Sequence, residues 1–145
     1  MTRLVTGDLM ECADCLCLAS RRAARTMTRA FDRKLRPFGI RATQFSALAM
    51  LSLRGALTIG ELANSLGVER TTLTRNLELI EAKGWVKVLV GEEDARARVV
   101  SMTPKGRAAV NAAVGAWREA QNGALAAVGN SGASAIRKLS SRAIP

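Results

Sequence analysis

The period at which apolar residues recur changes twice along this chain, and no other feature restricts its fold as much. Residues 85–90 and 97–102 alternate apolar with polar positions, a period of two that is typical of β-strands. Because only the polar turn 91–96 separates them, they are predicted to pair as a hairpin. On both sides the apolar residues recur at about 3.6 positions, the helical period. The chain is therefore predicted to be mainly α-helical with one small β-hairpin.

The first helix is predicted from about Asp8 to Arg36, because apolar side chains recur on one face of this segment. Pro37 and Gly39 are expected to end it. The apolar stripe consists of Cys12, Leu16, Ala23, Met27, Phe31 and Phe38, and the opposite, basic face of Arg21, Arg22, Arg25, Arg29, Arg33 and Arg36. A helix of this length needs a surface to pack on, and a partner subunit is one candidate.

Three shorter helices are predicted before the hairpin. Thr43 is expected to cap the first of them. Thr58 and Glu61 form a capping box at the start of the next, because each side chain accepts the other residue's backbone N–H. Gly67 ends that helix, and the last one covers Glu69 to Lys83. The short turn between the last two helices is typical of a helix-turn-helix.

After the hairpin the helical period returns. Thr103 and Pro104 mark a helix start, because threonine is a good cap and proline is favoured at the first helical position. Residues 129–132 are expected to interrupt this long helix, and a short last helix is predicted over 133–142.

The order of these elements predicts the domain organisation. Three helices followed by a hairpin form a winged helix, and the outer helices are then free to pair with a second subunit. We therefore predict a single domain over residues 1–145, with a winged helix-turn-helix at 43–103 and N- and C-terminal dimerisation helices at 8–40 and 104–145.

The composition excludes several classes of function. The chain has no His and no Tyr, so it lacks the usual general base and the commonest metal ligand. It also has no Gly-rich phosphate loop and no nucleophile motif, and we expect no enzymatic activity, no cofactor and no metal. A disulfide framework is not expected from its three cysteines.

The charge of the chain favours a polyanionic partner. Lys and Arg number 22 against 12 Asp and Glu, a net charge of +10 that attracts nucleic acid or an anionic membrane surface. No apolar run approaches the roughly 18 residues of a membrane span. The N-terminal residues 1–8 lack the apolar stretch of a signal peptide. We therefore expect a cytoplasmic protein with no membrane partner.

The helix over residues 69–83 is the predicted DNA-reading element. In a helix-turn-helix the second helix enters the major groove of duplex DNA with its N-terminus first. Its face opposite Leu73 and Leu77 is polar, and Arg75 can donate two hydrogen bonds to O6 and N7 of guanine. The candidate DNA-binding residues of this helix are Arg70, Thr71, Thr72, Thr74 and Arg75. The alternative for the threonines is helix capping on a solvated face.

Two arginines near the hairpin tip are further candidates for DNA binding. Arg96 and Arg98 are placed to enter the narrow minor groove, where the negative potential is enhanced. Asp94 is expected to pair with an arginine there and to hold it in position. The alternative is an ordinary charge cluster in a solvated turn.

Five motifs resemble, in sequence and in spacing, the MarR family of bacterial transcriptional regulators. They are Leu57–Ala63, Arg70–Leu77, Lys83–Val86, Asp94–Arg96 and Val100–Gly106. The resemblance covers about residues 15–117 and is strongest over 43–106. It implies a two-fold dimer of winged helices, paired through the first and last helices. It also implies repression of a nearby gene, relieved by a small molecule or by cysteine oxidation.

The family pattern implies DNA contacts in both grooves. It places Thr71, Thr72, Thr74 and Arg75 in the major groove and Arg96 in the minor groove. The hairpin departs from the pattern, because Ala95 stands where the family usually has a further arginine and Glu93 where a basic residue is common. The acidic tip argues against tight minor-groove binding, whereas the recognition helix is less affected.

Three cysteines, Cys12, Cys15 and Cys17, lie near the start of the first helix. One interpretation is packing, with Cys12 on the apolar stripe as a small hydrophobe. The other is redox sensing by Cys17, or by Cys15, because hydroperoxide-sensing members of the MarR family keep a reactive cysteine near position 17. Those members activate the thiolate with tyrosines, which this chain lacks, and Arg21 would have to replace them. Since the three side chains diverge around a helix, a metal site in one chain is not expected.

A pocket for a small-molecule effector is expected between the dimerisation helices and the winged domain. Met27, Phe31, Phe45 and Leu48 are candidates to line it, next to arginines suited to an anion, and core packing is the alternative for each.

Two functions fit these observations. The first is a sequence-specific regulator that binds a pseudo-palindromic operator in double-stranded DNA as a homodimer, with half-sites about one helical turn apart. The alternative is a sequence-indifferent architectural DNA-binding protein, which the +10 charge and the basic face of the first helix favour.

Overall fold

The structure, a computed structural model, describes residues 6–142. A 3-10 segment, Thr6–Asp14, precedes the first α-helix, and a second 3-10 turn, Arg36–Phe38, follows that helix. The α-helices are α1 (Leu16–Leu35), α2 (Ala42–Arg54), α3 (Ile59–Leu66), α4 (Arg70–Ala82) and α5 (Pro104–Ser140), and the strands are β1 (Leu57–Thr58), β2 (Val86–Val90) and β3 (Arg98–Met102). This order confirms the predicted fold class, a mainly helical chain with a small β-wing.

The three strands form one antiparallel sheet in the order β1-β3-β2. In the predicted hairpin, Val86 pairs with Met102 and Val90 with Arg98. The short strand β1 was not predicted, because two residues are too few to show a period. It pairs Leu57 with Val100 and so joins the start of α3 to the base of the wing.

One hydrophobic core holds α2, α3, α4 and the sheet together, and the end of α1 and the first half of α5 pack against it. Burying side chains of this size stabilises the fold by roughly 1.5–3 kcal/mol each. The largest fully buried side chains are Leu35, Ile40, Leu48, Leu62, Leu73, Ile80, Val86 and Val100. Since Leu73 and Ile80 are among them, α4 is fixed on its inner face.

The predicted start of the first helix at Asp8 was wrong. The α-helix starts at Leu16, because Cys15 has an extended backbone (φ −58°, ψ 119°) that separates α1 from the 3-10 segment before it. Cys12 therefore lies outside the helix and has no place on an apolar stripe. At the other end Pro37 turns the chain into a 3-10 geometry, which takes Phe38 off the helix face and leaves it exposed.

The predicted cap of α2 was also wrong. Thr43 lies inside the first turn, and Arg41 is the residue that precedes the helix. Two acceptors satisfy the N-terminal N–H groups. Gln44 Oε1 accepts from Arg41 N–H at 3.0 Å, and Asp32 Oδ1 of α1 accepts from Ala42 N–H at 2.7 Å. A carboxylate from another helix thus replaces the local hydroxyl.

The predicted break in the C-terminal helix is confirmed at Gly129. The backbone there has φ 70° and ψ 173°, which leaves helical geometry and divides Pro104–Ser140 into two helices that meet at a kink. The cap at the start of α5 is also as predicted, because Thr103 Oγ1 accepts from Gly106 N–H at 3.1 Å. None of the helices within residues 6–142 is long and apolar enough to cross a membrane.

The capping box of α3 is as predicted and makes the stability of the fold depend on pH. Glu61 Oε2 accepts from the Thr58 backbone N–H at 2.8 Å and from its hydroxyl at 3.0 Å, while Thr58 Oγ1 accepts from Glu61 N–H at 3.2 Å. The hydrogen bonds from the Thr58 backbone and hydroxyl lower the pKa of Glu61 below its usual value of 4.5, and Arg54 lowers it further. The carboxylate therefore stabilises the folded state when it is ionised.

We expect the wild-type protein to lose this stabilisation, relative to a Glu61→Gln variant, as the pH falls. A depressed folded-state pKa contributes stability above the unfolded-state pKa, and the contribution disappears as the pH drops through the folded-state value. Urea unfolding of both proteins at pH 7, 5 and 3.5 measures the difference in unfolding free energy. The difference should be constant from pH 7 to about 5.5 and shrink below the unfolded-state pKa of 4.5. A difference that grows in acid would contradict the assignment.

Candidate nucleic-acid interface

The helices α3 and α4 form a helix-turn-helix. Gly67 takes the left-handed conformation that a sharp turn requires (φ 63°, ψ 36°), and the Val68 N–H donates to the Ala63 carbonyl at 3.1 Å. Leu62 of α3 and Leu73 and Leu77 of α4 are all buried, so the two helices pack through these side chains. This packing turns the opposite face of α4 towards solvent.

The outer face of α4 is bare. Thr71, Thr72, Thr74 and Arg75 are all exposed in the protomer. With about 100° between successive residues, Thr71 and Arg75 lie about 160° from the buried Leu73, whereas Thr72 lies about 100° from it, on the side of α2. The Thr74 hydroxyl donates to the Arg70 carbonyl at 2.8 Å, so only its lone pairs are free for another partner. Thr71 and Arg75 therefore form the centre of this face.

Arg70 does not extend from the outer face of α4. Its guanidinium lies against the start of α3, where a Cβ built on Gly60 would be 2.6 Å from Arg70 Nη2. The absence of a side chain at Gly60 is what leaves room for this arrangement. Sequence reasoning missed Gly60, because a glycine in a helical first turn gives no signal of what packs on it.

The wing presents acidic and basic groups side by side. Arg96 and Arg98 are exposed, as are Glu92 and Glu93. The expected ion pair of Asp94 with an arginine was wrong. Asp94 Oδ1 instead accepts from the backbone N–H of Arg96 at 2.9 Å, and its carbonyl accepts from Ala97 N–H at 3.0 Å. Asp94 thus shapes the turn, as aspartate does in many loops, and leaves both guanidinium groups unconstrained.

The three cysteines are exposed and free in the protomer. Cys12 is therefore not buried within its own protomer, and its packing against a second subunit stays a prediction. Cys15 immediately precedes α1 and Cys17 lies in its first turn. All three thiols are open to solvent or to a second subunit.

Two of the four residues expected to line an effector pocket belong to the core. Phe45 and Leu48 are buried, and Phe45 stacks on Trp117 with ring centroids 5.9 Å apart. Phe31 packs against the same core. Met27 lies instead on an open groove of about 570 Å³ between α1 and α5. These four side chains therefore do not line one pocket, but a cavity of about 310 Å³ does lie between α1 and the winged domain, lined by Asp32, Arg36, Arg41 and Lys83 among others.

Comparison with known proteins gives the same assignment as the fold. Residues 38–97 match the MarR family. The multiple antibiotic resistance protein MarR of Salmonella typhimurium is 38% identical over 80 residues, which are 55% of this chain and 56% of that protein. The Mycobacterium tuberculosis transcriptional regulator MosR, solved in complex with DNA, is 48% identical over 87% of this chain and 93% of that one, with a TM-score of 0.78. The chain belongs to the MarR family.

The family model covers residues 38–97, and solved structures extend the comparison over more of the chain. AbfR, solved in an overoxidised form bound to DNA, is 26% identical over 79% of this chain and 85% of its own, with a TM-score of 0.68. The match to the curated MarR protein spans only a little more than half of that relative's length. The resemblance predicted from the motifs of residues 57–106 is thus confirmed at the level of the MarR family.

Proposed function

We propose that this MarR-family protein is a transcriptional regulator that binds duplex DNA sequence-specifically as a homodimer and represses the genes it controls. The observation that carries the proposal is the bare outer face of α4, where Thr71 and Arg75 lie opposite the buried Leu73. A helix held firmly by its inner face can enter the major groove without rearrangement. MosR, which shares nearly half of its residues with this chain, has been solved on DNA.

Arg75 and the threonines of α4 would make different contacts with DNA. Arg75 would donate to O6 and N7 of a guanine and so select a base. Thr71 and Thr72 would contact phosphates or base edges, and Thr74 would act as an acceptor only, because its hydroxyl proton is held within the helix. Arg70, lying on the start of α3, is placed for a phosphate rather than for a base.

The dimer would form through α1 and the C-terminal part of α5, the structural counterparts of the outer segments 8–40 and 104–145. Both carry large apolar side chains that are exposed in the protomer, as an unpaired interface does. These are Leu16 and Leu18 on α1 and Ile136 and Leu139 on α5. On this proposal residues 1–145 form a single domain, with the reading part at 43–103.

The wing would contribute less to binding than the recognition helix. Arg96 and Arg98 are free to approach the minor groove, but Glu92 and Glu93 bring two negative charges to the same tip. Carboxylates near phosphates oppose association, and the effect weakens with salt.

Removing this repulsion is expected to tighten DNA binding. A Glu92→Lys, Glu93→Lys variant should bind any duplex about tenfold more tightly at 50 mM salt, with a steeper dependence of log Kd on log salt, because each new phosphate contact releases counterions. Fluorescence anisotropy with a selected operator and with random duplex, at 50 to 300 mM salt, measures both quantities. The matched Glu92→Gln, Glu93→Gln variant should show a smaller gain. Equal affinity of all three proteins would mean that the wing tip stays away from DNA.

The alternative function is a sequence-indifferent architectural protein. The basic residues that support it are all exposed, namely Arg21, Arg22, Arg25, Arg29 and Arg33 of α1 and Arg36 directly after it. Selection from a random duplex library, followed by competition between selected and random duplexes, separates the two functions. A regulator should prefer its selected duplex by about 10³-fold or more. A ratio near one would favour the architectural function. On either function we propose a cytoplasmic, non-enzymatic protein.

We propose cysteine oxidation as the form of regulation. Cys15 and Cys17 are exposed at the start of α1, within the proposed dimer region, and AbfR has been solved with DNA in an overoxidised form. A peroxide would convert a thiolate to a sulfenic acid, with release of water or an alcohol. A polar group added there would alter the contact between subunits. The alternative is release by a small molecule, for which the basic cavity of about 310 Å³ between α1 and the winged domain is the candidate site.

We expect peroxide to lower operator affinity about tenfold through Cys17. Mass spectrometry of the treated protein locates the oxidised residue, and anisotropy with the selected operator gives the affinity. A Cys17→Ser variant should keep its affinity after treatment, and Cys12→Ser should respond as the wild type does. Unchanged binding by a protein whose Cys17 is fully oxidised would rule out the sensor.

A further inference from the structure

Lys83 stands where three parts of the protein meet. It follows α4 directly, and its ammonium group donates to the main-chain carbonyl of Gly39 in the junction between α1 and α2. The same Nζ lies 4.4 Å from the centroid of the Trp85 ring. Trp85 is buried, so its ring offers Lys83 a fixed surface, and a cation over an aromatic face is attracted by it.

The segment after Lys83 is held on its other side by the start of α5. The Thr103 hydroxyl donates to the Gly84 carbonyl at 2.6 Å, and the Thr103 N–H donates to the Trp85 carbonyl at 3.0 Å. The end of the recognition helix is therefore fixed to the start of α5 by these bonds and to the end of α1 by Lys83. Among the hydrogen bonds within residues 6–142, that of Lys83 is the one that joins the end of α4 to the α1–α2 junction.

Taken as the pivot of α4, this junction would convert a small rotation into a larger shift at the other end of the helix. The 13 residues of α4 span about 20 Å, with Lys83 at one end and the DNA-reading N-terminus at the other. A rotation of about 10° at the pivot would move the reading end by about 3 Å, close to the 3.4 Å rise of one base pair. In a dimer both reading ends would move, so a small change at Lys83 becomes a change of one or two base pairs in preferred spacing.

We propose that Lys83 is a positioning residue that sets the distance between the two recognition helices of the dimer, and hence the spacing of half-sites that the protein accepts. The inference rests on the proposed function, because it presupposes a dimer that reads two half-sites. Lys83 does not itself contact a base. It holds α4 of each subunit at a fixed angle to α1 and α5, the helices proposed to join the two subunits.

The test compares whole operators with isolated half-sites. The probes are a duplex selected by the wild-type protein, a half-site duplex cut from it, and versions of the full duplex whose spacer is one or two base pairs longer or shorter. We expect Lys83→Met to bind the full operator about tenfold more weakly and the half-site within twofold of the wild type. Its affinities for the altered spacers should differ less from one another than those of the wild type do. Lys83→Arg, which can both donate to the Gly39 carbonyl and stack on Trp85, should restore the wild-type pattern.

One control variant and two further measurements separate positioning from other roles of Lys83. Lys105→Met removes a neighbouring charge, since Lys105 lies beside Gly84, and should leave the spacing preference unchanged. An equal loss on full operator and half-site would overturn the proposal and indicate a folding defect. A slope of log Kd against log salt that is lower by about one unit would also overturn it, because that change would show a lost phosphate contact. If the wild-type protein selects no sequence at all, the proposed function itself fails, and this outcome is recognised before any variant is made.

Discussion

Replacing Arg75 with Ala is expected to abolish most of the preference of this protein for its operator. Arg75 is exposed on the outer face of α4, about 160° from the buried Leu73, and the fold does not use its guanidinium. A bidentate arginine–guanine contact contributes about 1–3 kcal/mol of discrimination against other bases. Since a dimer carries two copies, the operator should lose about 2–6 kcal/mol, at least about thirtyfold in affinity. Random duplex should lose far less.

An Arg75→Lys variant is the matched control for this prediction. Lysine keeps the positive charge but cannot form the planar, two-bond contact of a guanidinium. It should therefore bind random duplex as the wild type does while the specificity ratio still falls. Anisotropy titrations with selected and random duplexes at a fixed salt concentration give that ratio. If Arg75→Ala leaves the ratio unchanged, α4 does not read bases through Arg75, and the proposed interface is wrong in its central residue.

The helix-turn-helix could be predicted closely because its signals are local. The Thr58–Glu61 capping box, the left-handed Gly67 and the buried positions of Leu73 and Leu77 each depend on residues a few positions apart. Side chains that repeat on one helix face are buried together wherever the helix packs. For the same reason the exposure of Thr71, Thr72, Thr74 and Arg75 followed from the sequence once the inner face was known.

The errors concern contacts between residues distant in sequence. Thr43 is a good capping residue, yet Asp32 accepts the N–H of Ala42, which lies ten residues after it. Nothing in the local pattern shows that α1 will bring a carboxylate there. Lys83 and Gly39 are 44 residues apart, and their bond was equally invisible. The packing of Arg70 on Gly60 is of the same kind.

Two further errors came from applying a rule where another effect was stronger. Asp94 was expected to form an ion pair with an arginine. In a tight turn, however, a carboxylate readily accepts a hydrogen bond from the backbone N–H two residues later, as Asp94 does from Arg96. Cys12 was placed on the apolar face of the first helix. The extended backbone of Cys15, however, separates α1 from the 3-10 segment that contains Cys12. The apolar period alone cannot locate the first residue of a helix.

Replacing Gly106 with Ala is expected to have the largest effect on stability. Gly106 is buried at the start of α5, and a Cβ built there would lie 2.1 Å from the Trp85 carbonyl oxygen and 2.9 Å from its carbonyl carbon. Since both are backbone atoms, no side-chain rotation relieves the clash, and α5 must move away from the base of the wing. The movement would stretch the bonds from Thr103 to Gly84 and Trp85. Overpacking of this kind costs typically 1–3 kcal/mol, and we expect about 3 kcal/mol here.

Gly115→Ala, in the same helix, provides the comparison that isolates the clash. Nothing lies within 4 Å of a Cβ built on Gly115. The free energy of unfolding of this variant should therefore rise by about 0.4–1 kcal/mol, because alanine restricts the unfolded chain more than glycine does. Thermal unfolding at one fixed protein concentration should then show Gly106→Ala melting about 10 °C below the wild type and Gly115→Ala a few degrees above it. The concentration must be fixed because the stability of a dimer depends on it. Equal melting temperatures for the two variants would mean that α5 does not approach Trp85 as closely as described. The attachment of α4 to α5 through residues 83–85 would then need another explanation.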